Sequence, residues 1–168
     1  MTAIRQAGAT GNKILLPGND YTSAAAFVSN GSGAALLKVV NLDGSTTNLI
    51  FDVHKYLDSD GSGTHTNCVS NQQAVFSSLG DWLRTNKRQA ILTETGGGAS
   101  DSSCLTDVCQ ELDELNLYSD VYLGWTGWSA GMFDTSYQLS ETPFLSGSTY
   151  TDQQLVKQCI AGKFRKQT

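Results

Sequence analysis

An alternation constrains this chain more than anything else: short apolar runs are separated by longer, mostly amphipathic stretches. Lys13-Ile14-Leu15-Leu16-Pro17 reads as a strand closed by Gly18-Asn19-Asp20. Ser23 then offers an N-cap, and a helix is expected over 24–28. The second strand spans 48–53, after the turn residues Asp43-Gly44-Ser45, and a long polar loop leads from it to a helix over 72–87. Residues 90–93 form a third strand, ending at Glu94-Thr95-Gly96-Gly97-Gly98. Leu105, Val108, Leu112 and Leu115 recur at helical spacing and predict a helix over 103–117. A fourth strand is expected over 120–125 and a last helix over 152–161. Apolar strands joined by crossover helices imply an α/β fold with a parallel sheet buried on both faces. No linker or low-complexity stretch interrupts the chain, so residues 1–168 are read as one domain.

In parallel βα architectures, sites form at the carboxyl ends of strands. The polar residues found there are Asn19 and Asp20, His54 and Tyr56, then Glu94, and Trp128 as an aromatic. Glu94 stands out, because a carboxylate at the end of an apolar strand is costly unless it is paired or used. Its position alone fits an ion-paired structural glutamate equally well. His54 alone reads as a satisfied polar residue at a sheet edge. Trp82, Trp125 and Trp128 read by default as core aromatics.

Composition closes several other routes. Apolar residues make up 39% and no run is long enough to span a membrane. The net charge is −5 with no basic stripe, which argues against a nucleic-acid partner. The basic tail of Lys163, Arg165 and Lys166 reads as solvated. The cysteines, Cys68, Cys104, Cys109 and Cys159, form no CxxC pair, so disulfides in an oxidising compartment are favoured over a metal site. The sequon Asn30-Gly31-Ser32 agrees with secretion. Met1 to Arg5 carries no signal-peptide apolar core, so either a signal lies upstream or the protein is intracellular with free cysteines.

Three motifs mislead. Gly127-Trp128-Ser129-Ala130-Gly131 matches a nucleophile elbow, yet His54 and His65 both lie upstream, where that triad order has no use for them. Ser129 is read as structural. Asp58-Ser59-Asp60-Gly61-Ser62-Gly63 opens like a calcium loop, but Val69 stands where the bidentate Glu belongs, so an exposed loop is expected. Gly96-Gly97-Gly98 lacks the spacing of a phosphate cradle. No metal and no cofactor are expected.

The segments Leu16-Pro17-Gly18-Asn19-Asp20, Phe51-Asp52-Val53-His54-Lys55-Tyr56-Leu57-Asp58 and Ile91-Leu92-Thr93-Glu94-Thr95-Gly96-Gly97-Gly98 are similar to the fungal endoglucanases of glycoside hydrolase family 5. The resemblance runs from about Ala3 to Cys159. It implies a (β/α)₈ TIM barrel, secretion, and hydrolysis of internal β-1,4-glucosidic bonds in cellulose and related glucans with retention. It makes Glu94, ending the family's seventh strand, the nucleophile. His54 and Tyr56 match the His-x-Tyr after the sixth strand; the tyrosine would orient the nucleophile and the histidine polarise the carboxylates. Trp128 matches the aromatic platform after the eighth strand, and Asn19, Asp20 and Tyr21 would line the cleft after the fifth.

The family's acid/base Glu, in an Asn-Glu-Pro motif ending the fourth strand, is absent, and Thr2 to Gly8 looks like the end of the helix that follows that strand. The chain is therefore expected to hold about four βα units, strands five to eight, where a whole barrel takes about 250 residues. Beside the endoglucanase reading stands a catalytically incompetent half-barrel that binds glucan or self-associates through open edges and an exposed apolar interior. A serine esterase through Ser129 is nearly excluded for want of a base. Cys68 and Cys104 follow neighbouring strands at one end, and Cys109 and Cys159 fall on adjacent helices; the resemblance supports the same pairs, Cys68–Cys104 and Cys109–Cys159.

Overall fold

Strands β1 (Ile14–Pro17), β2 (Leu49–His54), β3 (Ala90–Thr95) and β4 (Tyr122–Gly127) form one parallel sheet in the order β1-β2-β3-β4. The structure is a computed structural model and describes residues 1–164; Arg165 and Lys166 of the basic tail lie outside the described residues. Helix α1 (Thr2–Gln6) precedes β1, and α2 (Ser32–Leu36), α3 (Gln73–Asn86) and α4 (Ser102–Leu117) follow β1, β2 and β3. Each strand pairs with its sequence neighbour through a helical crossover, the local rule of a (β/α)₈ barrel. Four strands make a partial barrel with β1 and β4 as its edges.

The core lies between sheet and helices. Leu49, Phe51, Val53, Ala90 and Leu92 are buried, and Phe51 stacks with Phe27 at 5.3 Å and Trp82 at 6.1 Å between ring centroids. Helix α3 buries Phe76, Leu79, Gly80 and Leu83; a side chain on Gly80 would meet the Tyr118 ring at 2.3 Å, so this glycine lets α3 and the end of α4 close together. Asp101 caps α4, accepting the N–H groups of Ser103 and Cys104. Both expected disulfides are present, Cys68–Cys104 and Cys109–Cys159. The first ties the loop after β2 to the start of α4, and the second ties α4 to the last helical segment.

The glycine run after β3 is a crossing point. A Cβ on Gly96 would lie 2.6 Å from the Trp128 carbonyl oxygen, one on Gly97 2.5 Å from the Cys104 sulfur, and one on Gly98 2.5 Å from the Thr66 carbonyl oxygen. Three different segments therefore press on three consecutive residues, and none leaves room for a methyl group.

Three expectations need correction. Residues 24–28 form turns rather than a helix, because Ser23 bridges to His54 and the Ala24 N–H donates to the His54 carbonyl at 2.9 Å, which carries the chain along the sheet. The first crossover helix is α2 instead, with Ser32 N–H held by Asn30 Oδ1 at 2.9 Å. The last helix is shorter than 152–161 and ends as a π-helical turn, Val156–Ile160. The loop after Tyr56 is not wholly exposed: Asp58 is buried, accepting the N–H groups of Gly63, Thr64 and His65 and a hydrogen bond with the His65 ring. A short hairpin, β5 (Phe144–Ser146) with β6 (Thr149–Thr151), was not foreseen, although Gly147-Ser148 between Leu145 and Tyr150 is a two-residue turn signal.

Candidate active site

Strands β2 and β3 shift register at Val53/His54, and the shift places His54 beside Glu94. His54 Nδ1 lies 3.6 Å from Glu94 Oε2, and His54 Nε2 lies 3.9 Å from Asp52 Oδ1. Alternation along β2 puts Asp52 and His54 on one face, so the imidazole stands between two carboxyl groups. The same Asp52 oxygen accepts the Thr93 hydroxyl. Asp52 was not singled out in the sequence; its position two residues before His54 was the available signal.

Just past β2, the Tyr56 hydroxyl donates to Glu94 Oε2 at 3.0 Å. Burial, then the charge of Glu94, push the Tyr56 phenol well above the ordinary tyrosine range, so it remains a donor. The Lys55 N–H donates to the Glu94 carbonyl at 2.9 Å, fixing the backbone as well.

The opposite wall comes from the segment after β1. Thr22 anchors it: its hydroxyl accepts the Gly18 N–H at 2.9 Å and donates to the Asp52 carbonyl, and its own carbonyl accepts the His54 N–H at 3.0 Å. Asp20, Tyr21 and Thr22 have φ of 56°, 49° and 54°, a run of left-handed residues that costs conformational energy and holds Tyr21 out at 93% exposure. A cleft of about 750 Å³ opens between the walls, lined among others by Asp20, Tyr21, Asp52, His54, Tyr56 and Glu94. Asn19 is absent from this lining; its N–H donates to Ser32 Oγ at 2.9 Å and its carbonyl accepts the Thr22 N–H at 3.1 Å.

Trp128 lies one residue beyond β4, its N–H bonded to the Thr95 carbonyl at 2.7 Å. Its ring packs on Phe133 at 5.7 Å, and Phe133 on Tyr137 at 4.6 Å, an aromatic row of which the sequence reading named only the first member. Glu141 folds back to this strand end: its N–H donates to the Ser129 carbonyl at 2.9 Å and its carboxyl presses on Gly127. Burial pushes Glu141 up to about 7. Ser129 is buried, and its hydroxyl has no hydrogen-bond partner among the described residues.

Asp58, Asp60 and His65 bring ligand atoms within 4.8 Å of one another. The Asp58 carboxylate is already engaged by its own loop. Burial opposes its charge, but the His65 ring and the backbone N–H groups of Gly63, His65 and Thr64 hold it below the usual range.

The cellulase family, glycosyl hydrolase family 5, matches residues 1–131. This chain belongs to that family. It is 62% identical over 164 residues to endoglucanase EG-II of Hypocrea jecorina, covering 97% of this chain and 39% of that protein. The crystal structure of Cel5A (EG2) from Hypocrea jecorina superposes with a TM-score of 0.92 at 62% identity, over 95% of this chain and 48% of the other. The structure of XacCel5A in complex with cellopentaose superposes with a TM-score of 0.79 at 32% identity, over 92% of this chain and 50% of the other. The chain thus spans about two fifths of its curated family 5 relative and about half of the solved chains.

Proposed function

We propose that this chain is the nucleophile-bearing half of the catalytic domain of a retaining endo-β-1,4-glucanase, with Glu94 attacking the anomeric carbon. The observation that carries the reading is the Tyr56–Glu94 hydrogen bond at the carboxyl ends of β2 and β3, inside an open cleft. An ionised carboxylate with one oxygen fixed by a neutral donor leaves the other free to attack and form a glycosyl-enzyme. His54 sets the local field between Asp52 and Glu94, Trp128 offers a stacking face to a sugar ring, and Asp20 and Tyr21 line the approach. Asn19 supports that wall through its backbone. The substrate is a β-1,4-glucan, and the net charge of −5 without a basic stripe argues against nucleic acid as a partner. No helix among the described residues is long and apolar enough to cross a bilayer. Two disulfides support a secreted protein.

The proposed site contains no general acid, so protonation of a poor leaving group is the step the chain does not supply. A second reading, a half-barrel that binds glucan or self-associates without turnover, draws on the open sheet edges and on Leu15, which is 41% exposed on β1.

A substrate whose leaving group needs no proton separates nucleophile from acid. A 2-deoxy-2-fluoro-cellobiosyl fluoride loses fluoride as its C1–F bond breaks and a C1–O bond forms to the attacking carboxylate. The expected result is one glycosyl adduct on the peptide containing Glu94, absent in Glu94→Gln. An intact protein mass without adduct, or labelling elsewhere, overturns the assignment.

A further inference from the structure

Behind the cleft, on α4, stands a glutamate that the proposed chemistry does not use. Glu111 is fully buried, and its Oε2 accepts the Thr95 hydroxyl at 2.8 Å while its Oε1 has no hydrogen-bond partner among the described residues. Thr95 is itself fully buried and directly follows Glu94. Its carbonyl accepts the Trp128 N–H at 2.7 Å. One residue therefore joins a helix side chain, the cleft carboxylate and the aromatic platform.

We propose that Glu111 is a positioning residue that holds Glu94 and Trp128 in place through Thr95. The inference rests on the reading of Glu94 as nucleophile only for its catalytic meaning; the geometry stands apart from it. A leucine at 111 would continue the apolar stripe of α4, which already contains Val108, Leu112 and Leu115. A carboxyl there costs desolvation and leaves one oxygen unpaired, so packing alone does not account for it. Burial pushes the acid up to about 8, against the Thr95 hydrogen bond and the charge of Lys55, so at neutral pH it keeps its proton and accepts as a neutral group. A fixed acceptor locks the Thr95 rotamer, and with it the last peptide of β3.

The test reads the cleft directly in this chain, without turnover. At pH 7 the ¹³C shift of the Glu94 carboxyl and the indole N–H resonance of Trp128 are recorded by NMR, with Tyr56→Phe marking the Glu94 signal after loss of its hydrogen bond. Glu111→Gln keeps a carbonyl acceptor and is expected to retain the wild-type positions. Glu111→Leu is expected to move Glu94 at least about halfway to the Tyr56→Phe value and to shift Trp128, as a support lost behind a site residue should. The paired variant Glu111→Leu/Thr95→Val leaves no orphaned hydroxyl; it is expected to fold at least as well as the single variant and to show the same displacement. Wild-type resonances in a folded leucine variant, single or paired, overturn the proposal, as does displacement by Glu111→Gln. Adduct formation at Glu94 is scored separately, so loss of the nucleophile reading does not masquerade as loss of this one.

Discussion

The Tyr56 hydroxyl reaches Glu94 Oε2 at 3.0 Å from the neighbouring βα unit, so the orientation of the carboxylate depends on how two parallel strands are paired. The irregular register at Val53/His54 is part of that pairing. Without the shift, the residue opposite Glu94 would differ, and alternation would turn a different side chain toward it.

Glu94→Gln keeps shape and removes charge. Once the proton donor is present, hydrolysis is expected to fall by at least about a thousandfold while glucan binding survives. Tyr56→Phe removes an orienting hydrogen bond and is expected to cost roughly 10–100-fold. Steady-state rates on a soluble cellulose derivative, with calorimetric binding of cellopentaose, check both. Near-normal turnover in Glu94→Gln would remove the nucleophile assignment.

The purified chain on its own is expected to leave unactivated cello-oligosaccharides intact while reacting with the activated fluoride. Retention with a poor leaving group needs two carboxyls about 5–5.5 Å apart, one to attack and one to donate a proton. Product analysis by chromatography decides. Cello-oligosaccharide cleavage that disappears in Glu94→Gln would show that an acid on this chain reaches the site, and Glu141, raised to about 7 at the end of β4, would be examined first.

Stability is expected to carry a signature of Glu111. Its acid is raised from 4.5 unfolded to about 8 folded. The folded chain therefore holds a proton that the unfolded chain has lost between those values, and stability falls as pH rises through that window. Its contribution is complete below 4.5 and gone above about 8, with a slope of about 1.4 kcal/mol per pH unit between. Denaturant melts of wild type and Glu111→Gln from pH 5 to 8 isolate it as the difference in slope. Equal slopes would mean that Glu111 titrates alike in both states.

Gly97→Ala is expected to destabilise the fold by about 1–3 kcal/mol, because the new methyl meets both sulfurs of Cys68–Cys104 and overpacks a closed site. Removing Cys109–Cys159 by paired serines should cost roughly 2–4 kcal/mol through the freed unfolded chain. Thermal melts under oxidising conditions report both. A Gly97→Ala melt at the wild-type temperature would mean that the crossing has slack.

The strand and helix framework was legible because its apolar runs and stripes are long enough to show their period: β1 to β4, α3 and α4 lie within a few residues of where periodicity put them. Ser23-Ala24-Ala25-Ala26 misled because alanine favours a helix, yet Ser23 and Ala24 are spent on backbone contacts to His54. Of the candidate site, Glu94, His54 and Tyr56 come together as their strand-end positions implied. Asp52 escaped because a carboxylate inside a strand run reads as a solvated face. Glu111 sits on the apolar stripe of α4, four residues before Leu115 and three after Val108, and that misplaced charge was a readable sign of burial. Phe133, Tyr137 and Glu141 lie on a long loop whose return to β4 has no local period to announce it.

Glycine is usually taken as slack in a chain, but Gly96, Gly97 and Gly98 have the opposite effect. Each is small because a neighbour occupies the space, so the three together clamp the end of β3 between the Trp128 peptide, a disulfide and the Thr66 carbonyl. The carboxylate two residues upstream therefore has little freedom to follow an incoming ligand. If that ligand is a sugar ring, as proposed, the adjustment on binding is expected to fall on the ring rather than on the strand.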